Sequence, residues 1–331
     1  MWQINPIEAV AQDEEIRVRR RGVGEGPSPS LSLIEPVAPQ SRSLRDSARV
    51  LLRACRPRQW SKNLLVLAAP AAAGLIDEPQ VAAQAAGAFV VLCLVSSATY
   101  LVNDVRDREQ DRLHPRKRTR PIAAGELSSG AALWIAAAFA VVGVALGTAI
   151  APGLGAVAVG YLALTASYSL WLRRIVILDI VAIAAGFVLR ALAGGVATDI
   201  YLSRQFVLVT GFCAIFLVAA KRYAELRDQT GPVAERATLR RYSLGRLRLT
   251  LALSAGAAGV AYTSWAFTRP NHVLWYVLSI FPFLLWLGRY ASLIGAGAGQ
   301  APEELILRDR MLLGLGVAWG LLFLGGVYVG H

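Results

Sequence analysis

Residues 89–111 read FVVLCLVSSATYLVNDVRDREQD, an apolar run that ends abruptly in an acidic segment. The apolar part has the character of a membrane helix, so the polar part is expected where that helix meets water. On a helix, Asp104, Asp107 and Asp111 fall at i, i+3 and i+7, which places three carboxylates on one face. Like charges at this spacing repel one another, and Mg²⁺ prefers such oxygen ligands, usually shared with substrate phosphates. The stretch therefore predicts a Mg²⁺ site for a phosphorylated substrate at a membrane surface.

The composition of the whole chain predicts an all-α, polytopic membrane protein. Of 331 residues, 55% are hydrophobic, and the mean hydropathy is +0.48, which is too apolar for an ordinary soluble protein. Apolar runs of roughly membrane-spanning length recur along the chain, and the first is short and contains Pro70. We expect nine transmembrane helices, at about 62–76, 81–102, 131–150, 153–171, 175–195, 205–220, 249–268, 272–289 and 311–330.

The net charge of +12 is distributed in a way that indicates membrane orientation. Most Lys and Arg residues lie in segments that fall on one side if nine helices alternate in direction. By the positive-inside rule, we place the N-terminus and the basic loops in the cytoplasm of a plasma membrane. The basic character then suits anionic membrane lipids and an anionic substrate, and we expect no nucleic-acid partner.

Two regions differ in composition. Residues 1–45 carry the basic run RVRRR at 17–21 and are rich in Gly, Pro and Ser, which predicts a disordered cytoplasmic arm without a signal peptide. Residues 46–331 form the expected transmembrane catalytic domain. Small residues run through its helices, which suits close packing in lipid and permits a homo-oligomer.

The acidic segment also has a simpler interpretation, since Asp104 and Arg108 are correctly spaced for a salt bridge on a solvated helix. Asp107 and Asp111, however, face each other at i, i+4 with no such benefit. The basic run HPRKRTRP at 114–121 follows at once. Cations beside carboxylates suit a substrate with several phosphates, so Lys117, Arg118 and Arg120 become candidate ligands.

Further polar clusters lie at other predicted membrane boundaries. Lys221, Glu225 and Asp228 share a helix face in KRYAELRD at 221–228. RPRQWSKN at 56–63 is either a substrate site or a Trp anchor with snorkelling cations. Inside the fifth run, Asp179 and Arg190 are about three turns apart, and they either line a polar cavity or fix packing.

The motif Asn103-Asp104-x-x-Asp107-x-x-x-Asp111, followed by TRPIAAG at 119–125, resembles the first signature of the UbiA superfamily of intramembrane prenyltransferases. Nine helices enclosing a cavity are the architecture of that superfamily. The second signature departs from the usual DxxxD pair. KRYAEL at 221–226 and RPRQWSKN at 56–63 are instead similar to the actinobacterial phosphoribosyltransferases of this superfamily.

This resemblance implies transfer of 5-phosphoribose from phosphoribosyl diphosphate (PRPP) to a polyprenyl (decaprenyl) phosphate, for cell-wall arabinan precursors. It implies Mg²⁺ on Asp104, Asp107 and Asp111 as the catalytic carboxylates, and lipid phosphate on cations near the first helix. The implied substrate-binding residues are Arg58, Lys62, Asn63, Asn103, Lys117, Arg118, Arg120, Arg190, Lys221, Arg222, Tyr223 and Glu225. Two alternatives stay open: a UbiA-type prenyltransferase acting on an aromatic or haem acceptor, and a transporter or lipid flippase.

Overall fold

The computed structural model describes residues 44–227, 241–268, 273–297 and 302–329. The described part of the chain opens with α1 (Leu44–Cys55), a 3₁₀ helix (Pro57–Leu67), α2 (Ala68–Ala73), α3 (Pro79–Arg106) and α4 (Arg108–Leu113). After a 3₁₀ turn (Lys117–Thr119) come α5 (Ser129–Ile150), α6 (Pro152–Leu170), the 3₁₀ turn Leu172–Arg174 and α7 (Val176–Ala197). The second half contains α8 (Arg204–Arg227), α9 (Leu244–Phe267), α10 (Val273–Ala296), α11 (Pro302–Arg308) and α12 (Arg310–Tyr328). Residues 1–43 of the expected N-terminal arm lie outside the described residues, and its last two belong to α1.

Seven helices of the described part are long and apolar enough to cross a membrane: α3, α5, α6, α7, α8, α10 and α12. The 24-residue α9 covers the predicted run 249–268. The all-α fold is therefore confirmed, whereas the count of nine spans stays a prediction.

The first predicted span, 62–76, is wrong as a single helix. Residues 57–67 wind as a 3₁₀ helix that Pro57 opens, and only 68–73 are α-helical. Gly74 ends α2 with φ 72°, a left-handed conformation that glycine adopts without strain. The apolar run is thus interrupted by a change of helix type and a tight end.

The helices form two packed groups that meet at α7. In the first, α3 packs against α5 and α6, around a core that includes Val91, Leu92 and Leu154. In the second, α8 packs against α9 around Phe216 and Tyr290, while α10 packs against α12. Since α7 contacts both α6 and α8, its polar residues connect the two groups.

Candidate active site

The acidic segment lies at a break between two helices. Helix α3 ends at Arg106, Asp107 adopts φ −91° and ψ 8°, and α4 starts at Arg108. Asp104 and Asp111 are both buried at 3% exposure, while Asp107 is half-buried. The single helical face expected for all three carboxylates is therefore interrupted between Asp104 and Asp111.

One guanidinium brings two of the carboxylates together. Arg120 Nη1 donates to Asp104 Oδ1 at 3.1 Å and to Asp111 Oδ2 at 2.6 Å. Arg56, the residue before the 3₁₀ helix 57–67, donates to the same Oδ1 of Asp104, and its guanidinium stacks over the Tyr100 ring at 5.2 Å. Sequence reasoning missed Arg56 as a partner of this pair, because the two residues are 48 positions apart.

The third carboxylate faces other cations. Asp107 lies 3.7 Å from Arg106 Nε and 4.0 Å from Arg173 Nη1. Within the described ranges, no group of three or more His, Cys, Asp or Glu side chains is arranged to hold a metal ion. The structure thus brings Asp104 and Asp111 together and leaves Asp107 beside them, so the three-carboxylate ligand set remains a prediction.

Polar residues next to the carboxylates in the sequence connect the surrounding segments. Asn103 Oδ1 accepts from Ser169 Oγ at 2.7 Å, which joins the end of α3 to the end of α6. In the basic run, Arg118 is exposed, Lys117 is half-buried and Arg120 turns inward to the acidic pair. Of these three predicted ligands, Arg120 donates hydrogen bonds to two of the carboxylates.

The segment 56–63 points its side chains in several directions. Arg58 is exposed, and Lys62 Nζ donates to Gln59 Oε1 at 2.6 Å. Asn63 is buried at 1% exposure, and its Oδ1 accepts from Arg190 Nε at 2.9 Å. Asn63 is therefore bonded within the protein, whereas Arg58 and Lys62 lie at the edge of the first group.

Arg190 is buried at 6% exposure in the middle of α7. Its other nitrogens donate to the Gly186 carbonyl and to Tyr161 Oη, both at 2.8 Å, and the Tyr161 ring lies 4.9 Å from the guanidinium carbon. No carboxylate of the described residues lies within salt-bridge distance of Arg190. Asp179 and Arg190 were expected to line one polar cavity, and the structure shows that they do not pair with each other.

Asp179 pairs with Arg222 instead. Arg222 Nε and Nη2 donate to the two oxygens of Asp179 at 2.7 and 3.0 Å, and Arg222 Nη1 donates to Glu225 Oε2 at 2.7 Å. Tyr168 and Tyr242 donate their hydroxyls to Asp179 at 2.8 and 2.9 Å. Burial and the Asp179 charge raise the pKa of Tyr242 above its ordinary value, so this hydroxyl stays a donor.

The second predicted cluster is thus divided between structural and accessible residues. Arg222 is committed to the buried ion pair, and Tyr223 is buried in the core with its hydroxyl accepting from Arg248 Nε at 3.1 Å. A direct substrate contact is not supported for these two. Lys221 is exposed and Glu225 is half-buried, while Asp228 lies outside the described residues.

A largely apolar cavity of about 960 Å³ lies among the 3₁₀ helix, α2, α7, α8, α9, α10 and α12, and its lining residues do not include the acidic pair or the Asp179–Arg222 pair. Its wall runs from Lys62 and α2 to Phe187 of α7, and on to aromatic residues of α9, α10 and α12 such as Trp265 and Trp319. The cavity is large enough for part of a lipid chain. It has a cation, Lys62, in its wall on the first group's side.

Comparisons with known proteins agree with this architecture. Residues 64–315 match the UbiA prenyltransferase family. The chain is 44% identical over 285 residues to the decaprenyl-phosphate phosphoribosyltransferase of Mycolicibacterium smegmatis, covering 81% of this chain and 89% of that protein. It is 41% identical over 289 residues to the protein of the same name from Corynebacterium glutamicum, covering 84% of this chain and 87% of that protein. Among solved structures, a UbiA homolog from Archaeoglobus fulgidus bound to GPP and Mg²⁺ superposes with a TM-score of 0.64 at 17% identity, covering 85% of this chain and 99% of the other.

Proposed function

The chain belongs to the UbiA prenyltransferase family, and we propose that it transfers 5-phosphoribose from PRPP to a polyprenyl phosphate, with release of diphosphate. It is a multi-pass membrane protein, as its long apolar helices indicate. One observation carries the proposal: its 41–44% identity to relatives named decaprenyl-phosphate phosphoribosyltransferase extends over four fifths of the chain. The resemblance to the GPP-bound homolog, at 17% identity, supports only the shared fold.

The donor diphosphate is proposed to bind at the break between α3 and α4. Here Asp104 and Asp111 are buried and held by Arg120, and Arg56 adds a second cation. Arginine guanidinium groups bind phosphate oxygens in two-pronged geometry, so Arg56 and Arg120 are suited to exchange carboxylate for diphosphate contacts. Asn103 orients the end of α3 through Ser169.

The chemistry of the acidic residues fits Mg²⁺, which prefers carboxylate oxygens and substrate phosphates. Asp104 and Asp111 would hold the ion, and Asp107 would be a third ligand or would accept hydrogen bonds from the water bound to the ion. When bound, Mg²⁺ would offset the negative charge of the leaving diphosphate. The structures of the Archaeoglobus homolog with Mg²⁺ make this ion the first to test.

Three further cations are proposed to hold the 5-phosphate. Lys117 and Arg118 lie on the loop that carries Arg120, and Lys221 lies at the end of α8. Glu225, fixed by Arg222, is placed to accept from ribose hydroxyls. Arg222 and Tyr223 are then positioning residues, because their own polar atoms are engaged within the protein.

The acceptor lipid is proposed to lie in the apolar cavity, with its phosphate toward Arg58 and Lys62. The cavity volume of about 960 Å³ and its aromatic wall suit an isoprenoid chain. Arg190, whose charge is met by neutral groups alone in the described residues, adds positive potential to the interior behind this phosphate.

The reaction forms a bond between a phosphate oxygen of the lipid and C1 of ribose, while the bond from C1 to the diphosphate oxygen breaks. The electron pair of that bond leaves with the diphosphate. A phosphate monoester has a second pKa near 6 and is already anionic at neutral pH, so the step needs no general base. Catalysis then depends on positioning and on charge stabilisation by Arg56 and Arg120.

The side of the membrane and the pathway are part of the same proposal. The charge distribution of the loops supports a cytoplasmic position for the acidic pair, where soluble PRPP would be available. The product, a polyprenyl-phosphate-linked phosphoribose, would serve as an arabinan precursor for the cell wall.

The purified full chain, reconstituted in nanodiscs, should move label from PRPP labelled in its ribose into the organic phase when Mg²⁺ and a polyprenyl phosphate are present. Asp104→Asn should reduce this rate by at least about a hundredfold, as expected for loss of a carboxylate that would hold the Mg²⁺ at the leaving diphosphate. Glu109→Gln is the matched control, because it replaces the carboxylate of an exposed residue of α4 by a carboxamide, and it should keep the parent rate. Label transfer that occurs only from a prenyl diphosphate would overturn the proposal.

A further inference from the structure

Helix α1 (Leu44–Cys55) has two chemically distinct faces. Arg45, Arg49 and Arg53 are spaced four residues apart, so they form a stripe along one side. Leu52 and Ala48 flank this stripe, and the apolar residues Leu51, Ala54 and Cys55 lie farther round the helix. This pattern is typical of helices that lie in the plane of a membrane surface.

The contacts of α1 place its C-terminus beside the polar end of α3, where we expect the lipid headgroups. Ser97 Oγ donates to the carbonyl of Cys55 at 3.3 Å and accepts from Trp60 Nε1 at 3.2 Å. Ser97 lies nine residues before Arg106, the last residue of α3, which corresponds to about 13 Å along the helix axis. The C-terminus of α1 is therefore packed below the polar end of a membrane-spanning helix.

The rest of α1 is open to its surroundings. Residues 45–49 are all exposed, and the side chain of Arg49 is 80% exposed although it lies 3.9 Å from Asp46. Leu52 is 53% exposed on the flank of the helix. An arginine stripe beside an exposed leucine, at headgroup depth, complements an anionic lipid surface in both charge and polarity.

The same helix is tied to the acidic pair at its C-terminal end. Arg53 donates to Glu126 Oε2 at 2.9 Å and to the Thr119 carbonyl at 3.0 Å, next to Arg120. Arg56, one residue beyond Cys55, has φ 55° and donates to Asp104. A shift of α1 would therefore move two arginine contacts that define the geometry of the candidate active site.

We propose that α1 docks on anionic phospholipid headgroups, through Arg45 and Arg49, and that this docking holds the Arg53 and Arg56 contacts in place. The occupant is a lipid surface and not a soluble protein, because the apolar flank and the arginine stripe meet at the depth set by Ser97. The lipid docking is independent of the transfer reaction, whereas its effect on turnover rests on the proposed function.

Docking is tested directly with a nitroxide label at Ala48→Cys. The background carries Cys213→Ser, because Cys55 and Cys93 are buried and Cys213 is half-buried. In nanodiscs of phosphatidylcholine with about one third phosphatidylglycerol, a fraction typical of strongly anionic membranes, the label should collide with oxygen and be shielded from aqueous nickel-EDTA-diacetate. In phosphatidylcholine alone, collisions with the nickel complex should increase. Equal collision rates of the label with the nickel complex in both lipids would overturn the proposal. This result is also expected if another part of the protein, and not lipid, shields the helix.

Removal of charge from α1 distinguishes docking of this helix on lipid from an effect of the protein's net charge. Two arginines near an anionic surface change the docking equilibrium by roughly thirtyfold, so Arg45→Gln/Arg49→Gln should lose the shielding at Ala48→Cys. The control Arg246→Gln/Arg310→Gln removes the same charge from exposed positions near the starts of α9 and α12. Shielding that persists in the α1 variant, or that is lost equally in the control, would contradict the proposal.

Turnover supplies the second measurement. At a fixed surface concentration of polyprenyl phosphate, anionic nanodiscs should increase the initial rate of the parent protein, and Arg45→Gln/Arg49→Gln should abolish that increase. A parent rate that does not respond to anionic lipid would contradict the coupling to the active site. Absence of any transfer would sink the proposed function instead, while the label measurement would still decide whether α1 docks.

Discussion

Replacement of Asp179 by asparagine is expected to destabilise the protein by about 3 kcal/mol. Asp179 is 3% exposed and joins three elements, because it accepts from Arg222 of α8, Tyr168 of α6 and Tyr242 ahead of α9. Asparagine keeps the shape but presents an NH₂ group where the carboxylate oxygen accepted hydrogen bonds. The Arg222 charge would then keep only Glu225, whose side chain is 19% exposed.

The magnitude follows from the cost of breaking one side of a buried ion pair, which is about 3–5 kcal/mol. The remaining Arg222–Glu225 contact at 2.7 Å places the expected loss at the lower end. For a protein of this size, such a loss corresponds to a fall of about 4 °C in the unfolding midpoint. Removing both charges is less costly, so Asp179→Asn/Arg222→Met should recover most of the difference.

Tryptophan fluorescence during heating in detergent micelles would measure these midpoints, at a constant heating rate because membrane proteins often unfold irreversibly. Asp199→Asn is the matched control: Asp199 is exposed and has φ 54°, a conformation that asparagine tolerates well. An Asp179→Asn midpoint equal to that of the parent would refute the assigned role of the ion pair. A double variant less stable than the single variant would refute the pairwise explanation.

Two further predictions concern packing and capping. Gly194→Ala should reduce the yield of folded protein and its unfolding midpoint, because the added methyl would overlap the backbone carbonyl of Val66. The control Gly211→Ala should be tolerated, because its methyl would lie 3.7 Å from its nearest neighbour. Size-exclusion profiles and unfolding curves of the two variants would test this difference. Asp309, which caps α12, has a pKa lowered by the hydrogen bond from Arg289, so it contributes stability above its ordinary pKa of about 4 that is lost as pH falls through the lowered value. The midpoint of Asp309→Asn should therefore lie below that of the parent at neutral pH and approach it in acid, and a difference independent of pH would contradict this assignment.

Most of the fold could be predicted from the sequence because lipid imposes a strong constraint on apolar runs. The predicted runs 131–150 and 153–171 correspond closely to Ser129–Ile150 and Pro152–Leu170. Each run is long, apolar and bounded by Ser, Pro or charged residues, so the helix ends were readable. The failure at 62–76 has a different origin, since Asn63 and Val66 are held by contacts to α7 that local pattern does not encode.

The sequence predicted which residues form the candidate site, but it did not predict their hydrogen-bond partners. The acidic motif indicated where carboxylates would gather, and Asp104 and Asp111 do lie on one guanidinium. The partners Arg56 and Tyr242 come from segments 48 and 63 residues away from the carboxylates that they contact. No periodic pattern connects such positions, and only the packing of α1 and of the segment before α9 brings them together.

The two buried arginines of the described core show how the same residue type can serve different purposes. Arg222 has two carboxylates within 2.7 Å, so its charge is compensated inside the protein and it acts as a fixed joint between α7 and α8. Arg190 has only an amide, a hydroxyl and a carbonyl as hydrogen-bond partners. Burying a cation with neutral partners is costly unless an anion approaches at some stage of function. Of the two, Arg222 is therefore the one whose charge stabilises the fold, and we propose that Arg190, whose hydrogen-bond partners in the described residues are all neutral, supplies its charge to a substrate phosphate.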